Sequence, residues 1–190
     1  MTALQRMNGP EPLKLRIADV EALQRAGAFA PFRKVELIEG ALYAMNAEYR
    51  RHNVVKNRLA RRLGQALEAL GSPMEAWTEV TLALGETDLP QPDIVVAVSE
   101  PDDRYYEVRD LGIVIEVADS TLKTDRTTKA ALYARADVPE YWVVDINRDE
   151  VLRFWCPAEG VYQAEPPVPL AGPLASLTMP DLVIDGSGIV

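Results

Sequence analysis

The run Leu-Gly-Ile-Val-Ile-Glu-Val at residues 111–117 constrains the fold of this chain more than any other stretch. Its aliphatic residues follow one another almost without interruption, which is typical of a strand that is covered on both faces of a sheet. Glu116 is the exception, because a carboxylate is costly to bury unless it is paired or binds a cation. The groups that accompany Glu116 therefore decide what this strand can do.

The remaining patterns predict helices and strands on both sides of this strand. The clearest is an amphipathic helix at 48–70, which Gly71 ends. The other predicted elements are a helix at 17–28, a hairpin at 33–45, strands at 76–84, 92–98 and 140–146, a helix at 124–136, and outer strands over VLRFW and GVYQAE. Buried strands separated by helices predict an α/β sheet with at least one parallel crossover. We expect one domain at 16–190 behind a flexible leader at 1–15.

Composition excludes several classes of protein. The single cysteine, Cys156, excludes an intrachain disulfide and a cysteine-based zinc cluster, and it fits a reducing cytoplasm. No apolar run approaches the ~20 residues that cross a bilayer, and the first residues have no apolar core of a signal peptide. The net charge of −9 argues against a basic coat protein for nucleic acid. It does not exclude a nucleic-acid enzyme, because bound divalent cations change the charge of such a site.

Three ionisable residues fall where burial is expected. Asp93 opens a predicted buried strand, Glu116 lies near the end of the next one, and Lys129 lies on the apolar stripe of the following helix. Two desolvated carboxylates repel each other, and a divalent metal relieves that repulsion. Mg²⁺ accepts one or two carboxylates together with water and phosphate oxygens. With a lysine beside it, such a site suits phosphodiester hydrolysis.

A structural explanation of the same three residues stays open. Asp93 can cap a turn after Pro92, and Glu116 can form an ion pair with Lys129 without any metal. Buried lysines and glutamates are usually paired, so this explanation accounts for the same pattern. Spacing along the sequence does not distinguish the two.

The segments PDIVVAV, IVIEVADST and DRTTKAALYARADVPEYWVVD, preceded by VELIEGALYAM, carry a family resemblance. Their combination over residues 17–185 resembles the Uma2 family, the DUF820 group of restriction-endonuclease-like proteins in the PD-(D/E)XK nuclease superfamily. The resemblance implies a restriction-endonuclease-like α/β fold, with a mixed β-sheet core flanked by helices and hairpins added at both ends. It also implies an endonuclease dependent on Mg²⁺ or Mn²⁺ that acts on nucleic acid, with DNA expected.

The resemblance also implies roles for particular residues. Asp93 and Glu116 would be metal ligands, and the backbone carbonyl of Val117 would be a third. The lysine expected two residues after Glu116 is replaced by Ala118. The resemblance therefore implies that the lysine has migrated to Lys129. Lys123 competes for this role, but its place in the loop before the helix predicts that it is solvated.

Supporting candidates lie outside this core. His52 leads the apolar stripe of the long helix, where a role near the metal and a structural role are about equally supported. Glu39 matches an acidic position of the family, although a glutamate before glycine is usually solvated. Tyr133 is expected to pack rather than react. The cations on the opposite face of the long helix are typical of a solvated face, yet they are the best local candidates for phosphate contact: Lys56, Arg58, Arg61 and Arg62.

Two other functions fit the same sequence. One is a non-catalytic binding module with the nuclease fold, which the negative charge and Ala118 favour. The other is a metal-dependent hydrolase of a small phosphate ester, if the acidic loop at 101–110 restricts access to the site. The outer strands after residue 150 are candidates for a homodimer interface.

Overall fold

A computed structural model of the protein describes residues 12–45, 49–98, 100 and 102–190. In chain order its elements are α1 (Ile17–Arg25), β1 (Lys34–Ile38), β2 (Ala41–Met45), α2 (Arg50–Ala69), β3 (Met74–Thr78), β4 (Ile94–Val98), a 3₁₀ turn (Val108–Asp110), β5 (Leu111–Ala118), α3 (Leu122–Thr124), a π-helical turn (Asp125–Lys129), α4 (Ala130–Arg135), β6 (Glu140–Asp145), β7 (Glu150–Ala158), β8 (Val161–Ala164), β9 (Val168–Pro169), β10 (Pro173–Ala175) and β11 (Val183–Asp185).

A mixed sheet forms the centre of the molecule, in the strand order β3-β4-β5-β6-β7-β8, with β9 paired to β7. Strands β5 and β6 are parallel, and the other neighbouring pairs are antiparallel. The predicted α/β class and its parallel crossover are therefore confirmed. The predicted hairpin at 33–45 is the antiparallel pair β1-β2, and the predicted outer strands over VLRFW and GVYQAE are the antiparallel pair β7-β8. A further small antiparallel sheet, β10-β11, was not predicted.

Strand β5 is buried along its whole length, because helices and loops cover both of its faces. Ile113, Ile115 and Val117 belong to the core that also contains the apolar stripe of α2. Val114 and Ala118 belong to the second core, on the side of α4. Since side chains alternate along a strand, Glu116 points to the side of α4.

The crossover helix contains a π-helical turn between α3 and α4. The helix was predicted at 124–136, but it already begins at Leu122. Thr121 Oγ1 donates a hydrogen bond to Asp125 Oδ2 at 2.6 Å at this beginning. Residues four apart lie on the same side of a helix, and Asp125 and Lys129 at the two ends of this turn are both buried.

The predicted strand at 76–84 is wrong at its C-terminal end. Strand β3 stops at Thr78, and Glu79 adopts a positive φ of 57°, which breaks the extended conformation. Leu82 and Leu84 are nevertheless buried in the loop that follows. Their apolar pattern therefore reflects burial in a loop rather than a continuation of β3, and Leu82 forms only an isolated bridge to Tyr106.

The predicted solvated basic face of α2 is also wrong in part. Lys56 is 3% exposed, and its ammonium lies 2.6 Å from Glu79 Oε1. Arg58 and Arg62 donate to carbonyl oxygens of the C-terminal segment, including those of Gly188 and Ser187. The C-terminal segment thus binds two cations that the sequence left available for phosphate, although Arg58 stays exposed.

Of the predicted leader, residues 1–11 lie outside the described residues. The residues after them lie beside the β1–β2 hairpin, because the Leu15 amide donates a hydrogen bond to the Gly40 carbonyl at 2.9 Å. Gly40 has a φ of 78°, as the predicted hairpin turn requires. Within the described ranges, none of the helices has the length and apolarity needed to cross a membrane.

Candidate active site

A cavity of about 370 Å³ opens at the end of β5. Its walls come from the β1–β2 hairpin, the start of α2, the loop before β4 and the crossover helix. The predicted residues Asp93, Glu116, Lys129 and His52 all line this cavity, as does Val117. The fold thus brings together the three predicted catalytic residues, each of them 4% exposed, although their catalytic roles stay predictions.

Asp93 is held where the chain enters β4. Its Oδ2 accepts a hydrogen bond from the Val117 amide at 2.8 Å and lies 3.2 Å from His52 Nε2. Burial by itself raises the pKa of Asp93, but His52, the charge of Lys34 and the Val117 amide outweigh burial and hold this pKa below its ordinary value. Asp93 is therefore a carboxylate fixed directly against the backbone beside Glu116.

Glu116 faces the same cavity from β5. Its Oε1 accepts hydrogen bonds from Lys129 Nζ at 2.8 Å and from the Tyr133 hydroxyl at 3.0 Å. Burial raises the pKa of Glu116 to about 8; Lys129 opposes the shift, and the charges of Asp93 and Asp125 add to it. A cation bound beside Glu116 would relieve this repulsion.

Lys129 ends the π-helical turn and points to the buried carboxylates. Its ammonium lies 2.8 Å from Glu116 Oε1 and 3.3 Å from Glu36 Oε1. Burial alone lowers the pKa of Lys129, but the charges of Glu116, Glu36 and Asp125 outweigh burial and raise this pKa above its ordinary value. Lys129 therefore remains protonated.

Ala118 stands where the usual lysine was expected, and it is fully buried in the core on the side of α4. Lys129 reaches the carboxylate from the neighbouring helix instead. Lys123, the competing candidate, is exposed as the sequence predicted and does not line the cavity. The geometry is consistent with the predicted migration of the lysine.

Glu36 was missed at the level of the sequence. It is 1% exposed, and its Oε1 accepts a hydrogen bond from the Gln91 amide at 2.9 Å in addition to the contact with Lys129. Lys34 Nζ lies 3.6 Å from the same oxygen. The signal was available, because VELI places a carboxylate in an apolar run just as IVIEV does.

Two further residues have closer links to the site than the sequence indicated. Tyr133, expected only to pack, donates to Glu116. Burial and the charge of Glu116 raise the pKa of its hydroxyl, so it stays a neutral donor. Lys56 Nζ lies 4.0 Å from Asp93 Oδ1 and forms an ion pair with Glu79, whose pKa it lowers.

Glu39 lies away from these residues. It occupies the turn of the β1–β2 hairpin with a φ of 51°. Its side chain is 54% exposed, accepts a hydrogen bond from Arg135 Nη2 at 2.5 Å, and is not among the residues that line the cavity. Among the residues that the structure describes, none links the Glu39 side chain to the site by a hydrogen bond or an ion pair.

The donor set suits a hard divalent cation. Within the described residues, no three His, Cys, Asp or Glu side chains form a ready-made metal-binding group. A metal would therefore depend on Asp93, Glu116, the Val117 carbonyl and water, a set that Mg²⁺ accepts because it keeps several waters. The two carboxylates fit that ion, and Glu116 must share its side chain between the ion and Lys129.

Known proteins resemble this chain in sequence and in fold. The family model described as "Uma2: Putative restriction endonuclease" matches residues 18–185. The fold resembles the crystal structure of a protein from Anabaena variabilis described as "a putative nuclease belonging to DUF820". The superposition has a TM-score of 0.60 at 14% sequence identity and covers 82% of this chain and 88% of the other. No curated protein matches the sequence.

Proposed function

This chain belongs to the Uma2 family, and we propose that it is a metal-dependent endonuclease that hydrolyses phosphodiester bonds of nucleic acid, with DNA the expected substrate. One observation carries the proposal. Asp93, Glu116 and Lys129 come from three different segments and meet in one cavity of a nuclease-like fold. A structural ion pair needs only two of these residues, and the third, Asp93, adds a carboxylate that raises the cost of burying Glu116.

Asp93 and Glu116 would hold Mg²⁺ or Mn²⁺, with the Val117 carbonyl as a further ligand. When bound, the metal supplies an activated water and neutralises charge on the phosphate. His52 and the Val117 amide hold Asp93 in its orientation, and Tyr133 does the same for Glu116. These contacts prepare the two carboxylates before a ligand arrives.

Lys129 would act on the reacting phosphate. Its buried ammonium is close enough to Glu116 to lie beside a bound phosphate oxygen or the attacking water. A fixed positive charge in a dry site stabilises negative charge that develops in the transition state. This role needs Lys129 to stay protonated, which the carboxylates around it favour.

Plasmid nicking tests the proposal. Purified protein is incubated with supercoiled plasmid, with Mg²⁺, with Mn²⁺ and with a chelator, and Asp93→Asn is compared with Glu68→Gln, a change at an exposed position of α2. We expect nicking by the wild type and by the control only when metal is present, and a loss of about 10²-fold or more for Asp93→Asn. Nicking that survives chelation or Asp93→Asn contradicts the proposal.

A binding module is the second candidate, and one observation favours it. Lys129 and Tyr133 already satisfy Glu116 Oε1 without any ion. Calorimetry that detects DNA binding but no Mn²⁺ binding, together with intact plasmid, would support this function. The hydrolase of a small phosphate ester loses its support, because the acidic loop lines a different pocket around Arg104 and Asp110.

The assembly and the location of the protein remain proposals from the sequence. A homodimer would use the outer strands, of which β8 is an edge of the central sheet. Val161 on β8 is exposed, which leaves this edge open to a second copy. The cytoplasmic location rests on the single cysteine.

A further inference from the structure

Glu36 lies where three segments of the site meet. It belongs to β1, its Oε1 accepts the amide of Gln91 two residues before Asp93, and the same oxygen contacts the Lys129 ammonium at 3.3 Å. Strand pairing fixes the position of Glu36 in the fold. Glu36 pairs with Tyr43 across the hairpin, and the next residue, Leu37, bridges to Leu89 in the loop that leads to Asp93.

Lys129 therefore lies between two carboxylates from different elements, Glu116 on β5 and Glu36 on β1. A metal ligated by Glu116 would compete with the bond between Lys129 and Glu116, but not with the bond between Lys129 and Glu36. A divalent cation on Glu116 repels the ammonium and draws the carboxylate away from it. Without Glu36, the buried Lys129 ammonium would then keep no carboxylate of the described residues at ion-pair distance, and the charge of Asp125 would act on it only from farther away, which is unfavourable.

We infer that Glu36 is a positioning residue that holds the Lys129 ammonium at the site while Glu116 binds the divalent cation. The inference rests on the proposed function and adds a role that the metal ligands cannot supply themselves. By sharing the lysine, Glu36 weakens the hold of Lys129 on Glu116 and leaves that carboxylate available for metal. No bond is made or broken by Glu36.

A purely structural role for Glu36 predicts something different. If Glu36 only anchors the Gln91 amide, its loss affects the site whether or not residue 129 is a lysine. If its charge only attracts the cation through space, the effect is again independent of Lys129. A role through Lys129 disappears when that lysine is removed, so a double-mutant cycle separates the three explanations.

Calorimetric titration with Mn²⁺ measures this directly and does not depend on turnover. The proteins are the wild type, Glu36→Gln, Lys129→Met and the double variant, with Glu86→Gln, an exposed carboxylate paired with Arg16, as the matched control. We expect Glu36→Gln to weaken Mn²⁺ binding about tenfold, in the range found for residues that orient metal ligands. Lys129→Met should bind Mn²⁺ at least as tightly as the wild type, because the competitor of the metal is gone.

The double variant decides the matter. We expect it to bind Mn²⁺ like Lys129→Met, within about twofold, since Glu36 then has no lysine to hold. Equal losses from Glu36→Gln in both backgrounds, or no loss in either, overturn the inference while leaving the proposed function intact. A wild type that binds no Mn²⁺ overturns the proposed function and this inference with it.

Thermal denaturation of each variant shows whether it is folded. If Glu36→Gln does not fold, Glu36→Asp keeps the charge but withdraws it by one methylene. We expect Glu36→Asp to weaken Mn²⁺ binding about threefold, less than Glu36→Gln because the charge is kept, and only in the presence of Lys129. Affinity equal to that of the wild type overturns the inference.

Discussion

Two carboxylates are buried on neighbouring strands of the same sheet, and they have opposite surroundings. Glu140 on β6 is fully buried, and neutral groups satisfy its oxygens. The donors include the Trp142 indole at 2.6 Å, the hydroxyl of Ser176 at 2.6 Å and the amide of Leu177 at 3.0 Å. Glu116 on β5 contacts a lysine and a tyrosine and lines an open cavity beside a second carboxylate, Asp93.

The difference shows that burial alone does not mark a functional carboxylate. Glu140 ties the C-terminal segment to the central sheet through hydrogen bonds from Ser176 and Thr178. Glu116 faces a second buried carboxylate, Asp93, and has its pKa raised to about 8, mainly by burial. The partners of a buried charge distinguish an anchor from a site that can gain a ligand.

The largest expected effect is on stability and concerns the anchor. Glu140→Ala should lower the free energy of unfolding by about 4 kcal/mol, because it leaves several buried donors without an acceptor. Urea denaturation followed by circular dichroism measures the change. Glu150→Ala, at a partly exposed position of β7, is the control and should change stability by less than about 1 kcal/mol. A loss for Glu140→Ala no larger than that of the control would remove the contrast.

The next effect is on catalysis and concerns Glu116. Glu116→Gln should lower kcat for plasmid nicking by about 10²- to 10³-fold, because the amide is a poor metal ligand and cannot carry the charge. Its stability should stay near that of the wild type, since removing one of two repelling carboxylates offsets the loss of the bond to Lys129. A variant that nicks normally but unfolds easily would make Glu116 a second anchor.

The pH dependence of stability should reveal Glu116 as well. The pKa of Glu116 is about 8 in the folded protein and 4.5 for an ordinary glutamate, so the folded state binds more protons between these values. Stability from this group is therefore fully present below about 4.5 and is lost as the pH rises through about 8. Thermal denaturation at pH 6 and pH 9 should show this loss in the wild type and a smaller one in Glu116→Gln. Equal pH dependence in both proteins would contradict the assignment.

The smallest effect concerns the hydroxyl that orients Glu116. Tyr133→Phe keeps the packing of the ring and removes one hydrogen bond to Oε1. We expect a loss of about 1 kcal/mol in stability and a fall in kcat of about tenfold. Tyr162→Phe, which removes a hydroxyl bonded to the Val138 carbonyl outside the cavity, should lose similar stability but keep kcat. Equal losses of kcat in both would show that the hydroxyl has no special role.

Local patterns predicted much of the architecture. The apolar run of β5, the stripe of α2 and the hairpin with Gly40 were recognisable because each depends on residues that are near neighbours in sequence. The boundary of β3 was not, since Leu82 and Leu84 are buried in a loop and have the pattern of a strand. Burial leaves the same apolar signal whichever element provides it.

The sequence by itself determined that Glu116 is buried, because only the periodicity of its own strand is needed for that. Only the tertiary structure decided which side chains contact Glu116. Lys129 is 13 positions away, Tyr133 is 17 positions away, and Glu36 reaches Lys129 across 93 positions. Such contacts depend on how the hairpin and the crossover helix are placed on the sheet. The physical reason is that burial is set by local pattern, whereas the pairing of buried charges is set by topology.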